Sequence, residues 1–192
     1  MIAEAIRRSP LADYADRFAA LSKATDSALS IRELPFVSQV NLRSDPRDAG
    51  LMQRLATAIG LALPIAPNTV TSGKDRRALW LAPDEWLVVG PDGQQGAIEQ
   101  ELRNGLNGAF GSVTDVSANR TILEIRGANA RELLARGVYV DLDADVFVAD
   151  SCVQTLLAKA QIIIDRLGND QAIRLYIRSS FSSYVATWLL DA

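Results

Sequence analysis

Histidine is absent from this sequence, and cysteine occurs once, at Cys152. A Ser-His-Asp triad or a Cys-His pair cannot be assembled within the chain. One cysteine allows no internal disulfide, and one cysteine without histidine makes a poor zinc ligand set. No side chain has an unperturbed pKa near neutrality, so any general base would be a shifted carboxylate or lysine. Basic runs are missing too, and the net charge is −3. That argues against a nucleic-acid partner. No stretch of about 18 uncharged apolar residues appears, as a membrane helix would need, and the N-terminus lacks the apolar core of a secretory signal. A cytoplasmic protein without a membrane partner is the expectation.

Nucleotide motifs are also lacking. Gly73-Lys74 is followed by Asp75 and has no upstream glycine, so there is no Walker A loop, and no GxGxxG follows a strand. The "NGLNGAFG" cluster reads as a turn after a helix. Asp141, Asp143 and Asp145 lack the glycine and terminal glutamate of a calcium loop. A metal site is not expected.

What is present is apolar pattern. At 192 residues and 48% hydrophobic content, the chain can bury roughly 70% of its unfolded surface. Leu11, Tyr14, Ala15, Phe18 and Leu21 recur at helical spacing after Ser9-Pro10, an N-cap signal. Residues 30–43 read as one strand, with Pro35 marking a bulge or edge. A helix starting at Asp45-Pro46 should end at Gly60. "KDRR" reads as a solvated turn. "LWLAPDEWLVV" reads as a hairpin around Pro83-Asp84-Glu85. Helices follow near 94–106 and 129–137, strands at 120–127 and in "CVQTLLA", "QIIIDRLG" and "IRLYIR", and a last helix capped by Ser179 or Ser180.

The order strand, helix, irregular crossover, hairpin, helix occurs twice. This predicts an α+β fold of two fused ferredoxin-like split βαβ halves, with antiparallel sheets and helices. Residues 1–27 form an N-terminal amphipathic helix and linker. Residues 28–192 form a single unit with pseudo-halves 28–111 and 112–192.

Few residues stand out chemically. Cys152 opens an apolar run and reads as a buried structural thiol. Trp80 and Trp86 flank one turn and read as core packing or as interface anchors. Arg120 and Arg178, at strand ends, read as a clamp for a ligand carboxylate or as partner-interface positions, or as members of internal ion pairs, the more ordinary use.

The segments "RELPFVSQVNLR", "LPIAPNTV", "LWLAPDEWLVV", "DVSANRTILEIRGANARELLARG" and "IRLYIRSSFSSYVATWLLDA", in this order, resemble the gamma subunit of heterotetrameric sarcosine oxidase. The resemblance implies a fold like the folate-binding domain of the glycine-cleavage aminomethyltransferase. It implies a non-catalytic subunit of a complex that oxidises sarcosine to glycine, yielding hydrogen peroxide and 5,10-methylenetetrahydrofolate. Alpha, beta and delta subunits would be its partners. FAD, FMN, NAD and tetrahydrofolate would sit in those subunits, and no cofactor in this chain. A folate-dependent iron–sulfur maintenance protein shares the architecture, but its Lys-Gly-Cys-Tyr/Phe-x-Gly-Gln-Glu motif is not matched by "ADSCVQTLL". The alternative is a stand-alone folate-binding or one-carbon-transfer protein. Its pterin would need a free acid, for which Asp84, Glu85, Asp115 and Glu124 are the candidates.

Overall fold

The structure is a computed structural model that describes residues 7–168 and 172–192. Within them, ten strands form two five-stranded sheets. One sheet holds β2 (Ser38–Ser44), β3 (Val70–Ser72), β4 (Arg77–Ala82), β5 (Glu85–Gly90) and β6 (Gly111–Asp115), in the order β3-β4-β5-β2-β6. The other holds β1 (Ser30–Leu34), β7 (Arg120–Arg126), β8 (Ser151–Leu157), β9 (Ala160–Arg166) and β10 (Ile173–Arg178), in the order β1-β7-β10-β9-β8. Every pairing is antiparallel. The helices are α1 (Ala15–Ala24), α2 (Ala49–Ile59), α3 (Gln95–Leu106), α4 (Ala130–Ala135) and α5 (Ser182–Asp191).

The α+β reading holds, and the repeat has a twist in it. The run β2-α2-β3-β4-β5-α3-β6 forms one sheet with its helices in a split βαβ arrangement. The run β7-α4-β8-β9-β10-α5 repeats that order, but the strand equivalent to β6 is β1, brought from the N-terminal side. Ser30 to Leu34 pair with Arg126 to Ile122, and Gly111 to Asp115 pair with Ser44 to Val40. The sheets therefore part at the 116–119 loop, with β1 carried over, and not along a simple cut between residues 111 and 112.

Pro35 is the reason the strand expected over 30–43 is two strands. Proline has no N–H for a ladder, and Phe36 beside it adopts φ +59°. The chain leaves one sheet there and enters the other. Helix starts also differ from expectation. Ser9 does not cap α1; its hydroxyl donates to Glu33 Oε2 at 2.5 Å, and a 3-10 turn at Ala12–Tyr14 leads into the helix. α2 is capped by Asp48, whose Oδ1 accepts from Leu51 N at 2.9 Å, while Asp45 pairs with Arg47. Gly60 closes α2 at φ +66° as expected. Ser179 Oγ donates to the Ala118 carbonyl and does not cap α5, which a 3-10 turn precedes. The sequence also suggests a Gly168-Asn169-Asp170 turn between β9 and β10, of which Asn169 and Asp170 lie outside the described residues.

Three apolar clusters define the layers. α2 and α3 cover one face of the first sheet through Leu51, Leu55, Ile98 and Leu102 against Val40, Leu42, Trp86 and Val88. α1, α4 and α5 cover the outer face of the second sheet through Phe18, Leu134, Val185 and Leu189 against Leu123, Ile164 and Leu175. Between the sheets, Leu79, Leu81, Leu87 and Val89 meet Ile122, Cys152, Ile163 and Tyr176. The order helix, sheet, sheet, helix follows from period two: both faces of β5 are apolar, so both must be covered.

Candidate functional site

The hairpin places Trp80 opposite Trp86. Trp86 is fully buried and its Nε1–H donates to the Pro64 carbonyl at 2.7 Å. Trp80 remains half-buried. The face of the hairpin opposite Trp86 meets the second sheet of the same chain, through Leu79 and Leu87.

The "KDRR" reading is corrected. Arg77 begins β4, and its side chain is 13% exposed. Its guanidinium donates to Asp165 at 2.7 and 3.1 Å, across from one sheet to the other. Burial pushes the Asp165 carboxyl upward, while Arg77 and the Tyr176 hydroxyl, which donates to it at 3.3 Å, hold it down. Arg76 pairs with Glu101. Asp165 was missed in sequence, although it shares strand parity with Ile163 on β9 and so belongs to the inter-sheet face.

The four acids proposed for a pterin are all engaged. Glu124 is completely buried and accepts from Arg32, Arg126 and Arg174. Burial works against its charge, but hydrogen bonds from Arg126, Arg32 and Arg174 overcome this and hold its carboxyl down to about 2. Asp84 pairs with Arg43. Glu85 accepts from Asn41 Nδ2 at 2.7 Å, and Asp115 Oδ1 accepts from the amide and hydroxyl of Ser117. Asp141 and Asp143 accept backbone amides two residues on, as loop residues do. Among the described residues no group of histidine, cysteine, aspartate or glutamate is placed to hold a metal.

Cys152 is buried between the sheets, and its thiol donates to the Trp80 carbonyl at 3.2 Å. Burial first, then the charge of Asp165, pushes it up to about 12. A thiol so held is not a nucleophile near neutral pH.

Arg120 and Arg178 behave differently from the other charged groups on this face. They are direct partners across β7 and β10, and both share strand parity with Ile122 and Tyr176, which look into the inter-sheet space. The expected internal ion pair is not made: among the described residues neither guanidinium forms a salt bridge. Burial, then the neighbouring charge of Arg178, lowers the pKa of Arg120, with Glu85 opposing. The two arginines line a cavity of about 370 Å³ with Tyr139, Gln154, Leu156 and Gln161. On its wall, Gln154 donates from Nε2 to the Leu81 carbonyl at 2.8 Å. Neither tryptophan lines it, so the four candidates form no single site.

Known proteins account for this architecture. A sequence model described as sarcosine oxidase, gamma subunit family, matches residues 43–192. The sarcosine oxidase gamma subunit of Corynebacterium sp. (strain U-96) is 34% identical over 188 residues, covering 97% of this chain and 90% of that one. That of Arthrobacter sp. is 35% identical over the same share. In the solved heterotetrameric sarcosine oxidase from Corynebacterium sp. U-96, in complex with pyrrole 2-carboxylate, one chain superposes with a TM-score of 0.85 at 30% identity. That match covers 96% of this chain and 93% of that one. The glycine cleavage system aminomethyltransferase T from Bartonella henselae shares the fold, at TM-score 0.62 and 15% identity, over 84% of this chain and 45% of that one. Agreement in sequence and in fold over nearly the whole length has one meaning: the chain belongs to the sarcosine oxidase gamma subunit family.

Proposed function

We propose that this chain is a structural, non-catalytic subunit of a heterotetrameric sarcosine oxidase. Its partners are the alpha, beta and delta subunits, in the cytoplasm. Those subunits hold FAD, FMN, NAD and tetrahydrofolate. They convert sarcosine to glycine with hydrogen peroxide and, when tetrahydrofolate is present, 5,10-methylenetetrahydrofolate. The observation that carries this reading is the superposition on a chain of a solved heterotetrameric sarcosine oxidase over 96% of this chain. The chemistry of the residues supports it. There is no histidine, the thiol is suppressed, and the acids suited to a pterin are tied to arginines, to Asn41 or to Ser117.

Co-expression with the three partner subunits tests the proposal. The expected product is a stable yellow complex with one copy of this chain and sarcosine-dependent peroxide formation. The chain purified alone should be colourless and inactive. A chain that stays monomeric beside its partners, or that alone binds tetrahydrofolate tightly, would overturn the reading in favour of a stand-alone folate protein.

A further inference from the structure

The inner face of the second sheet carries charges at both ends, and the ends are built differently. At one end each acid is answered: Glu124 by Arg32, Arg126 and Arg174, and Asp165 by Arg77. At the other end Arg120 and Arg178 lie side by side on neighbouring strands with no salt bridge among the described residues. Like charges directly opposite on paired strands are destabilising, and Arg120 bears this while half-buried. Glu85 is close enough to favour the charge on Arg120, but its carboxylate is bound to Asn41. Two guanidiniums against one nearby carboxylate leave room for one more negative charge.

The surroundings indicate what brings it. The cavity beside the arginines is open to solvent, and its rim holds Tyr139, 75% exposed, and Leu156, 39% exposed. An exposed aromatic and an exposed leucine beside unpaired arginines have the composition of a protein interface, where tyrosine and arginine are enriched. A small acid would answer the arginines but leave that rim uncovered. A protein surface covers both.

We propose that Arg120 and Arg178 receive a side-chain carboxylate of a partner subunit, with Tyr139 and Leu156 packed against the surface around it. This rests on the reading of the chain as a heterotetramer subunit. The carboxylate accepts from the two guanidiniums, and Gln161 on the cavity wall supplies a further amide donor.

The test is assembly of the whole complex with wild-type chain and with Arg178→Gln, Arg120→Gln and Tyr139→Ser. The wild type is expected to assemble, and each variant to bind its partners at least tenfold more weakly. The melting temperature of the isolated Arg178→Gln chain should be unchanged or raised, because one of two like charges is gone. Tyr139→Ser changes a surface position, so weaker assembly in that variant cannot be put down to misfolding. Should the wild type assemble and all three variants match it, the carboxylate receptor is wrong while the subunit reading stands. Should the wild type not assemble, both fail. Benzoate titrated into the isolated chain separates the remaining case. Saturable sub-millimolar binding that Arg178→Gln abolishes would assign the site to a free small acid and overturn the proposal.

Discussion

Trp86 and Trp80 face each other across one hairpin, yet only Trp86 is fully buried. Trp86 sits on the central part of its sheet beneath α2 and α3, with its one polar atom bonded to the Pro64 carbonyl. The turn residue Asp84 pairs with Arg43, and both side chains are about half exposed (49% and 51%). These environments set very different costs. Trp86→Ala should destabilise the isolated chain by about 3–5 kcal/mol. Asp84→Ala should cost about 1 kcal/mol or less, as exposed ion pairs do. Urea unfolding of the two variants checks both values. Equal and small effects would place Trp86 outside the core. The hairpin itself was legible from two short apolar runs around Pro83-Asp84-Glu85. The contrast between its tryptophans was not, because it depends on which neighbours other elements bring.

At the scale of elements, the two sheets are held by apolar contact and by polar links that include a buried charged pair. Arg77 of β4 reaches Asp165 of β9 at 2.7 Å, and Tyr176 of β10 donates to the same carboxylate. Asp165 is completely buried, so removing one partner strands a charge in low dielectric. Asp165→Asn should cost about 3–5 kcal/mol, whereas replacing both members by apolar residues of similar volume should cost less than the sum of the single changes. A denaturant double-mutant cycle on Arg77→Met and Asp165→Leu measures this. Additive losses would show that the pair acts as two independent groups. A second close fit joins α5 to the end of α4. Gly137 ends the helix that the sequence suggests over 129–137, and its role is also steric: a Cβ there would lie 2.4 Å from the Trp188 ring. Composition marks such a glycine as a break and cannot show which ring lies over it.

For the whole molecule, the acid limb of stability is set in part by Glu124, where β1 and β10 flank β7 and three arginines converge. Its folded pKa, about 2, lies below the value of about 4.3 expected unfolded. The unfolded state therefore binds more protons between these values, and stability rises with pH there. The contribution is fully present above about pH 4.3 and is lost as pH falls through about 2, with a size on the order of 3 kcal/mol. Glu124→Gln should be less stable than wild type at neutral pH and lose less between pH 5 and pH 2.5. Unfolding free energies at the two pH values decide it. Parallel losses in both proteins would exclude Glu124 as a source of the acid sensitivity. The same residue was a candidate for holding a pterin, and the three arginines around it explain why that role does not fit.

The sequence by itself determined the local grammar. Period-two and helical apolar spacing, Gly60 after α2 and the Pro83-Asp84 turn placed most elements, and the lack of histidine removed most catalytic chemistry. Family-specific segments such as "APDEWL" and "VSANRT" pointed to the relatives. Only the tertiary structure decided which strand joins which sheet. β1 and β2 are separated by three residues of sequence but belong to different sheets, because strand partners are chosen by long-range burial and not by propensity. It also decided which charges are answered. Arg77 sits in a segment that reads as solvated and is buried against Asp165, while Arg120 and Arg178, read as members of ion pairs, remain without one among the described residues. An ion pair needs two side chains within a few ångströms, and positions 88 residues apart, such as Arg77 and Asp165, meet only when the two sheets close on each other.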